Sequence, residues 1–354
     1  MKTSKTLLSL AVCTALSTPL AAQADKMTIY GSAGVSVEAL DNGTTKTTEV
    51  SNNHSAFGIK GSKTLNSNLS AVYLLDMFVG LDAGGGAGDD SLLGGGRDGW
   101  AGLSSETWGI VALGFQGRPW KTSTNHLDMF GSTIADYSAI MGSTGDGYFD
   151  GGIGNSLIYF GPNINGFSWH LQYGADESDD STNDWGAQLN YSLGGFYVSL
   201  SHDVDGQGND QEQADADDIS ASKLAVSYTI ADSTTLTGMF ETISGDDSNS
   251  RNAYYLAASH RISNTTLKLA YAVADELDSA SNTGASYYAV GVSHRLDKNI
   301  ELYALYSAID NDENATYGYV SAPHTSSNGN TTVVAGEDSN VFALGFRYDF
   351  AWDK

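Results

Sequence analysis

The residues able to make or break bonds are few, and their spacing argues against catalysis. The chain has seven His and one Cys. No His stands in an H-E-x-x-H pair, and there is neither a G-x-S-x-G elbow nor a P-loop. A single Cys excludes a disulfide framework and a multi-Cys metal centre. Gly94, Gly96 and Gly99 match the dinucleotide fingerprint. That chemistry needs a strand before the glycines and a helix after them; here a glycine-rich loop runs into a strand, so the match reads as loop flexibility. Residues 85–93 fit one calcium-binding nonapeptide, but such sites are shared between stacked repeats and no second copy follows. The acid-rich runs 176–184 and 210–218 read as solvated loops, with bridging to divalent cations as their other use. No catalytic residue, cofactor or metal site is expected.

Composition narrows the class. Acids outnumber bases 42 to 17, a net charge of −25, yet charged residues make up only 17% of 354. Soluble domains carry roughly 25%. The acidic balance excludes nucleic acid as a partner, because phosphate neutralisation needs clustered Lys and Arg. Lys2 and Lys5, the apolar stretch from Leu7 to Leu16, and Ala22-Gln23-Ala24 form a secretory signal peptide over residues 1–24. Its removal leaves 15 bases against 42 acids, a net of −27. Past residue 24 no apolar run approaches the roughly 18 residues of a membrane helix.

What remains is alternation. Leu224, Val226, Tyr228 and Ile230 alternate with Lys223, Ala225, Ser227 and Thr229. Leu267, Leu269, Tyr271 and Val273 alternate with Lys268 and alanines, and Phe342, Leu344, Phe346, Tyr348 and Phe350 with Ala343, Gly345, Arg347 and Asp349. Period two puts each set on its own face of a sheet. The second face is small and polar rather than densely charged, as a lumen wall would be. An apolar face toward lipid, a polar face toward a lumen and Tyr near strand ends describe a transmembrane barrel. Lipid leaves no backbone group free to bond water, so the strands must close on themselves.

Strands are expected near 27–39, 54–65, 68–79, 97–105, 107–116, 153–161, 166–175, 184–193, 195–204, 220–230, 233–243, 251–262, 264–274, 285–296, 299–309 and 339–350. Short turns such as Asn66-Ser67-Asn68 and Ser263-Asn264 alternate with the long segments 40–53, 80–96, 117–152, 176–183, 205–219, 244–250, 275–284 and 310–338. The fold class is therefore all-β, a 16-stranded antiparallel barrel over residues 25–354. His260 and His294, on the apolar face beside Arg261 and Arg295, read as interface residues near the periplasmic rim.

Several segments resemble the general diffusion porins of Gram-negative bacteria, in the neisserial, burkholderial and vibrio-type trimeric branch. Met27-Thr28-Ile29-Tyr30-Gly31 resembles the family's first strand, and Ser55 to Ser62 its second. Trp100-Ala101-Gly102-Leu103 with Trp108 to Gly114, Asn155 to Tyr159 with Gly166-Phe167, and Gly345 to Phe350 resemble three further motifs, in order. The resemblance covers nearly the whole mature chain. It implies a homotrimer in the outer membrane, in contact with lipid and lipopolysaccharide, inserted by the barrel assembly machinery, and passing small hydrophilic solutes and ions. Ala56, Phe115 and Ile158 stand where the family often has Arg, which argues against a strong basic ladder. Four residues, Ala351 to Lys354, follow Phe350, where the family usually ends.

The resemblance also implies that 117–152 folds inward as the third loop and narrows the pore. It carries Arg118, Lys121, His126, Asp128, Asp136, Asp146 and Asp150. Alternation makes Lys60, Lys223, Lys268 and Arg347 the lumen-wall charges. Four loop acids against two permanent bases point to a cation preference, since acids in a narrow passage favour cations. Two other readings stand beside this one. A sugar-specific porin would stack its solute on Trp100, Trp108, Trp120 and Tyr148; an adhesin or enzyme could use the same barrel.

Overall fold

A computed structural model describes residues 25–82, 93–144, 148–175, 183–206, 218–245, 250–319, 324–325 and 333–353. Residues 1–24, the nonapeptide match at 85–93 apart from Leu93, and most of the acidic runs at 176–184 and 210–218 lie outside them. In chain order the strands are β1 (Lys26–Asp41), β2 (Lys46–Asn53), β3 (Ala56–Asn66), β4 (Leu69–Val79), β5 (Leu93–Ser105), β6 (Gly109–Gly117), β7 (Gly152–Phe160), β8 (Phe167–Gly174) and β9 (Asp184–Leu193). They continue as β10 (Phe196–Asp205), β11 (Ile219–Ile230), β12 (Thr234–Ser244), β13 (Arg251–Ile262), β14 (Thr265–Ala274), β15 (Ala285–Asp297), β16 (Ile300–Asn311), β17 (His324–Thr325) and β18 (Ser339–Asp353).

Every pairing is antiparallel, and β1 closes on β18 from Thr28↔Asp353 to Asp41↔Asn340. The segments β2 and β3 are one stave broken at His54 and Ser55, and β17 is a two-residue bridge from the last loop to β2. Sixteen staves result. The break shows how strictly the wall satisfies its backbone. His54 takes φ 56°, and the ladder to β1 skips Ala33 and Gly34. Ser55 fills the gap: its hydroxyl donates to Gly34 O at 3.1 Å and accepts from Gly34 N at 2.9 Å.

Two boundaries differ from the sequence expectation. The segment 40–53, expected as a loop, is mostly strand: β1 runs to Asp41 and β2 begins at Lys46. Asn42 allows so tight a turn because its Oδ1 accepts the Thr45 amide at 2.8 Å and the Thr44 amide at 3.2 Å. At the other end, β18 continues past Phe350 to Asp353, and Thr28 Oγ1 donates to Asp353 at 2.6 Å. The extra residues add ladder to the seam.

The faces are inverted relative to a soluble sheet. Leu224, Val226, Leu267, Leu269, Val290, Leu344 and Phe346 are exposed on the outside, while Lys223, Glu241, Arg251 and Ala-rich rows are buried inside. Outside, lipid takes the place of water, so apolar exposure carries no penalty there. His260 and His294 do lie on the outer, exposed face, bonded across strands to Thr234 at 2.8 Å and Thr265 at 2.9 Å.

Candidate functional site

The largest buried aromatic cluster is built by a loop, not by the wall. Residues 118–151 leave β6 and return at β7, and Arg118 N bonds Gly151 O at 3.1 Å to close the neck. Pro119 at the first helical position starts a single turn, α1 (Pro119–Thr122). Two 3-10 turns follow, Asn125–Leu127 and Tyr137–Ala139. Trp120, Phe130, Ile134, Tyr137, Ile140, Met141 and Phe149 are buried against Tyr255, Tyr287 and the Ala rows of β11, β13, β14 and β15. Small wall residues leave room for large loop residues; that complementarity seats the loop inside the barrel.

Polar contacts pin each part of the loop. Arg118 reaches Asp184 at 3.0 Å and Asp205 at 3.2 Å, and Trp120 N donates to Asp203 at 2.7 Å. Tyr197 donates to Ser123 O at 2.6 Å, and Tyr287 to Ala135 O. Asp128 accepts from Phe130 N at 2.9 Å, Tyr137 N at 3.0 Å and Tyr255 OH at 3.0 Å. Asp136 caps the second 3-10 turn, accepting from Ser138 N at 3.0 Å. The returning arm is held by Glu241, which accepts from Gly142 N at 3.0 Å, and by Arg251. Arg251 donates to Glu241 at 3.1 Å, Ile140 O at 2.8 Å and Ser143 O at 2.6 Å. Both side chains of that ion pair are fully buried.

The expected site residues separate into two groups. Arg118, Lys121, Asp128, Asp136 and Asp150 all lie in the inward loop. Lys121 pairs with Asp150 at 3.5 Å and donates to Asp150 O at 2.6 Å. Asp146 lies outside the described residues. Burial pushes the Asp128 carboxyl well above the usual carboxylate range, and the neighbouring Asp136 charge adds to it. Burial and then the Asp150 charge raise Asp136. Burial pushes the His126 imidazole down to about 4, beside the Tyr197 ring at 4.6 Å.

Of the wall bases, Lys60, Lys268 and Arg347 are half-exposed on the inner face. Lys223 is not: it is 1% exposed, and its Nζ sits 3.0 Å from the centroid of the Trp120 ring, with no hydrogen-bond partner among the described residues. The loop therefore leans on the β8–β15 wall and leaves inner-face charges of β3–β5, β16 and β18 facing the lumen. That open side also carries Asp76 and Arg97, 3.9 Å apart, with Asp98, Glu301 and Asp349. Glu241, Arg251, Asp203, Tyr255 and Tyr287 were absent from the sequence-based site. Alternation puts Glu241 on the inner face, opposite the outward Phe240, but no local signal says that a loop will cover it.

The four aromatics expected as a stacking ladder are not brought together. Trp100 is buried, with Nε1 on Gln116 at 2.8 Å; Trp108 sits in the turn between β5 and β6; Trp120 is buried within the inward loop, and Tyr148 bridges Ser143 in that same loop.

Comparison with known proteins agrees with this architecture. A family model described as Gram-negative porin matches residues 9–314. An outer membrane porin protein of Bordetella pertussis is 27% identical over 204 residues, 50% of this chain and 51% of that protein, so the match spans about half that relative's length. Among solved structures, the chain is similar to an anion-selective porin from Comamonas acidovorans. The TM-score is 0.79 at 23% identity, covering 92% of this chain and 100% of that one. It is also similar to Salmonella typhi OmpF in complex with daunomycin (TM-score 0.68, 17% identity, 92% and 97% covered). A third is the trimer form of Vibrio cholerae OmpT (0.66, 18%, 93% and 100%). At these identities the solved structures speak for the fold.

Proposed function

We propose that this chain, which belongs to the Gram-negative porin family, forms a water-filled channel for passive diffusion of small hydrophilic solutes and ions. Its place is the outer membrane. The observation that carries the channel reading is the one-sided loop: it buries its aromatic side on the β10–β15 wall and leaves half-exposed charges across the lumen. On this reading residues 1–24 are removed on export and 25–354 form the barrel. Three copies assemble, a state supported by the trimer form of the Vibrio cholerae relative in fold. Lipopolysaccharide around the outer loops and the barrel assembly machinery at the aromatic terminal strand complete its partners. No reaction is assigned to it.

The channel prefers cations. The support is the four loop acids, Asp128, Asp136, Asp146 and Asp150, since acids in a narrow, low-dielectric passage favour cations. A salt-gradient reversal potential on purified protein in planar bilayers tests this. A cation-favouring sign is expected; zero or the opposite sign sinks it. The opposite reading has specific support. Lys60, Arg97 and Arg347 lie on the open wall and Lys268 stays half-exposed on β14, Asp128 and Asp136 spend their oxygens on the loop's own N–H groups, and the Comamonas relative in fold is described as anion-selective.

A further inference from the structure

The loop tip, Phe130 to Thr133, overhangs a recess that opens to the lumen and is lined by Lys268, Glu301, Tyr303 and Arg347. Strand register builds its charge pattern. Arg295 of β15 stands opposite Glu301 of β16, and Glu301 stands opposite Arg347 of β18. Consecutive inner-face positions across three strands therefore read positive, negative, positive. Lys268 of β14 joins from farther along the wall, opposite Gly291 of β15. Gly291 lines the same recess. It also seats the loop: a Cβ there would lie 2.8 Å from the Phe130 ring.

These groups are incompletely used. Arg347 gives its Nε to Asp349 at 3.0 and 3.2 Å, leaving both Nη groups without a partner among the described residues. Glu301 has Arg295 3.8 Å away. Lys268 has no ion-pair partner among the described residues, and it lines the recess together with Glu301. A simple anion entering the recess meets Glu301 as well as the bases, and a simple cation meets the bases. A solute carrying both charges satisfies both sets, with the Phe130 and Tyr303 rings beside its carbon skeleton.

We propose that this recess is a transit subsite for small zwitterionic solutes of the α-amino-acid class. The solute carboxylate accepts from Lys268 and Arg347, and its ammonium donates to Glu301. The proposal rests on the channel reading above and names a solute class for it.

The test is KCl current through the purified protein in planar bilayers, titrated with L-serine. Glycerol, of similar size and uncharged, and succinate, purely anionic, are titrated beside it. Serine is expected to lower the current saturably. The half-effect concentration should rise by about fivefold or more in both Lys268→Met and Glu301→Gln, and stay near wild type in Lys268→Arg. Glycerol should act only through bulk conductivity. A serine effect that does not saturate, or that is equal in wild type and both variants, overturns the subsite. So does saturable binding of succinate without serine, which would mark an anion site. Absence of any KCl conductance would instead overturn the channel reading, and the subsite with it.

Discussion

Asp128 and Asp136 show how one side chain can serve shape and charge together. Each holds loop backbone through its oxygens, and each keeps its proton to a higher pH than a free carboxylate, because burial and a neighbouring acid disfavour the charged form. The sign of the consequence is simple. As pH falls, these two acids are neutralised before ordinary surface carboxylates, and the passage loses negative charge. Reversal potentials measured from pH 7 downward should drift toward anion preference, starting above the usual carboxylate range. Asp128→Asn should remove part of the drift. A reversal potential flat down to pH 4 would show that these acids do not act on passing ions. His126 does not contribute over that range, since its imidazole stays neutral until about 4.

At the scale of elements, the inward loop is held at two ends by different physics. Its first turn lies on Lys223, whose buried ammonium is stabilised by the Trp120 face, with the Tyr137 ring centroid 5.4 Å away; a desolvated cation–π contact contributes about 2 kcal/mol. Its return arm is latched by the fully buried Glu241–Arg251 pair. Removing one member strands the other in a dry site at about 3–5 kcal/mol. Glu241→Ala should therefore loosen the return arm, lower thermal stability and raise open-channel current noise. Lys223→Met should do the same more weakly, and Lys223→Arg should keep the quiet channel. Quiet traces from both Glu241→Ala and Lys223→Met would show that side-chain packing alone holds the loop. Glu241 and Arg251 are only ten positions apart on neighbouring strands, but their loop partners could not be paired from sequence, because those contacts join residues about 100 positions apart in the chain.

The whole molecule is a closed wall whose ends meet at β1 and β18. Closure is what a long, apolar, hydrogen-bonded surface needs in lipid, since any open edge would expose unpaired backbone. The seam is tightly fitted: a Cβ at Gly31 would lie 2.6 Å from the Phe350 ring. A stable wall with a lumen narrowed on one side suits assembly by the outside. We expect purified protein in mild detergent to run as three chains by light scattering, converting to monomer only on heating. A monomer before heating would remove the trimer from the proposed function.

The amino-acid sequence determined the class, the faces and most strand limits, because side-chain direction along a strand alternates residue by residue and needs no partner to be read. It misplaced the first hairpin, where one Asn side chain lets a turn close that composition suggests is a loop. It could not tell Lys223 from Lys268. Both are inward lysines, each preceding an exposed leucine. Only the tertiary structure decides that the loop from β6 covers one with Trp120 and leaves the other beside the lumen. That choice depends on large loop side chains meeting small wall residues far away in the chain, and no local pattern carries it.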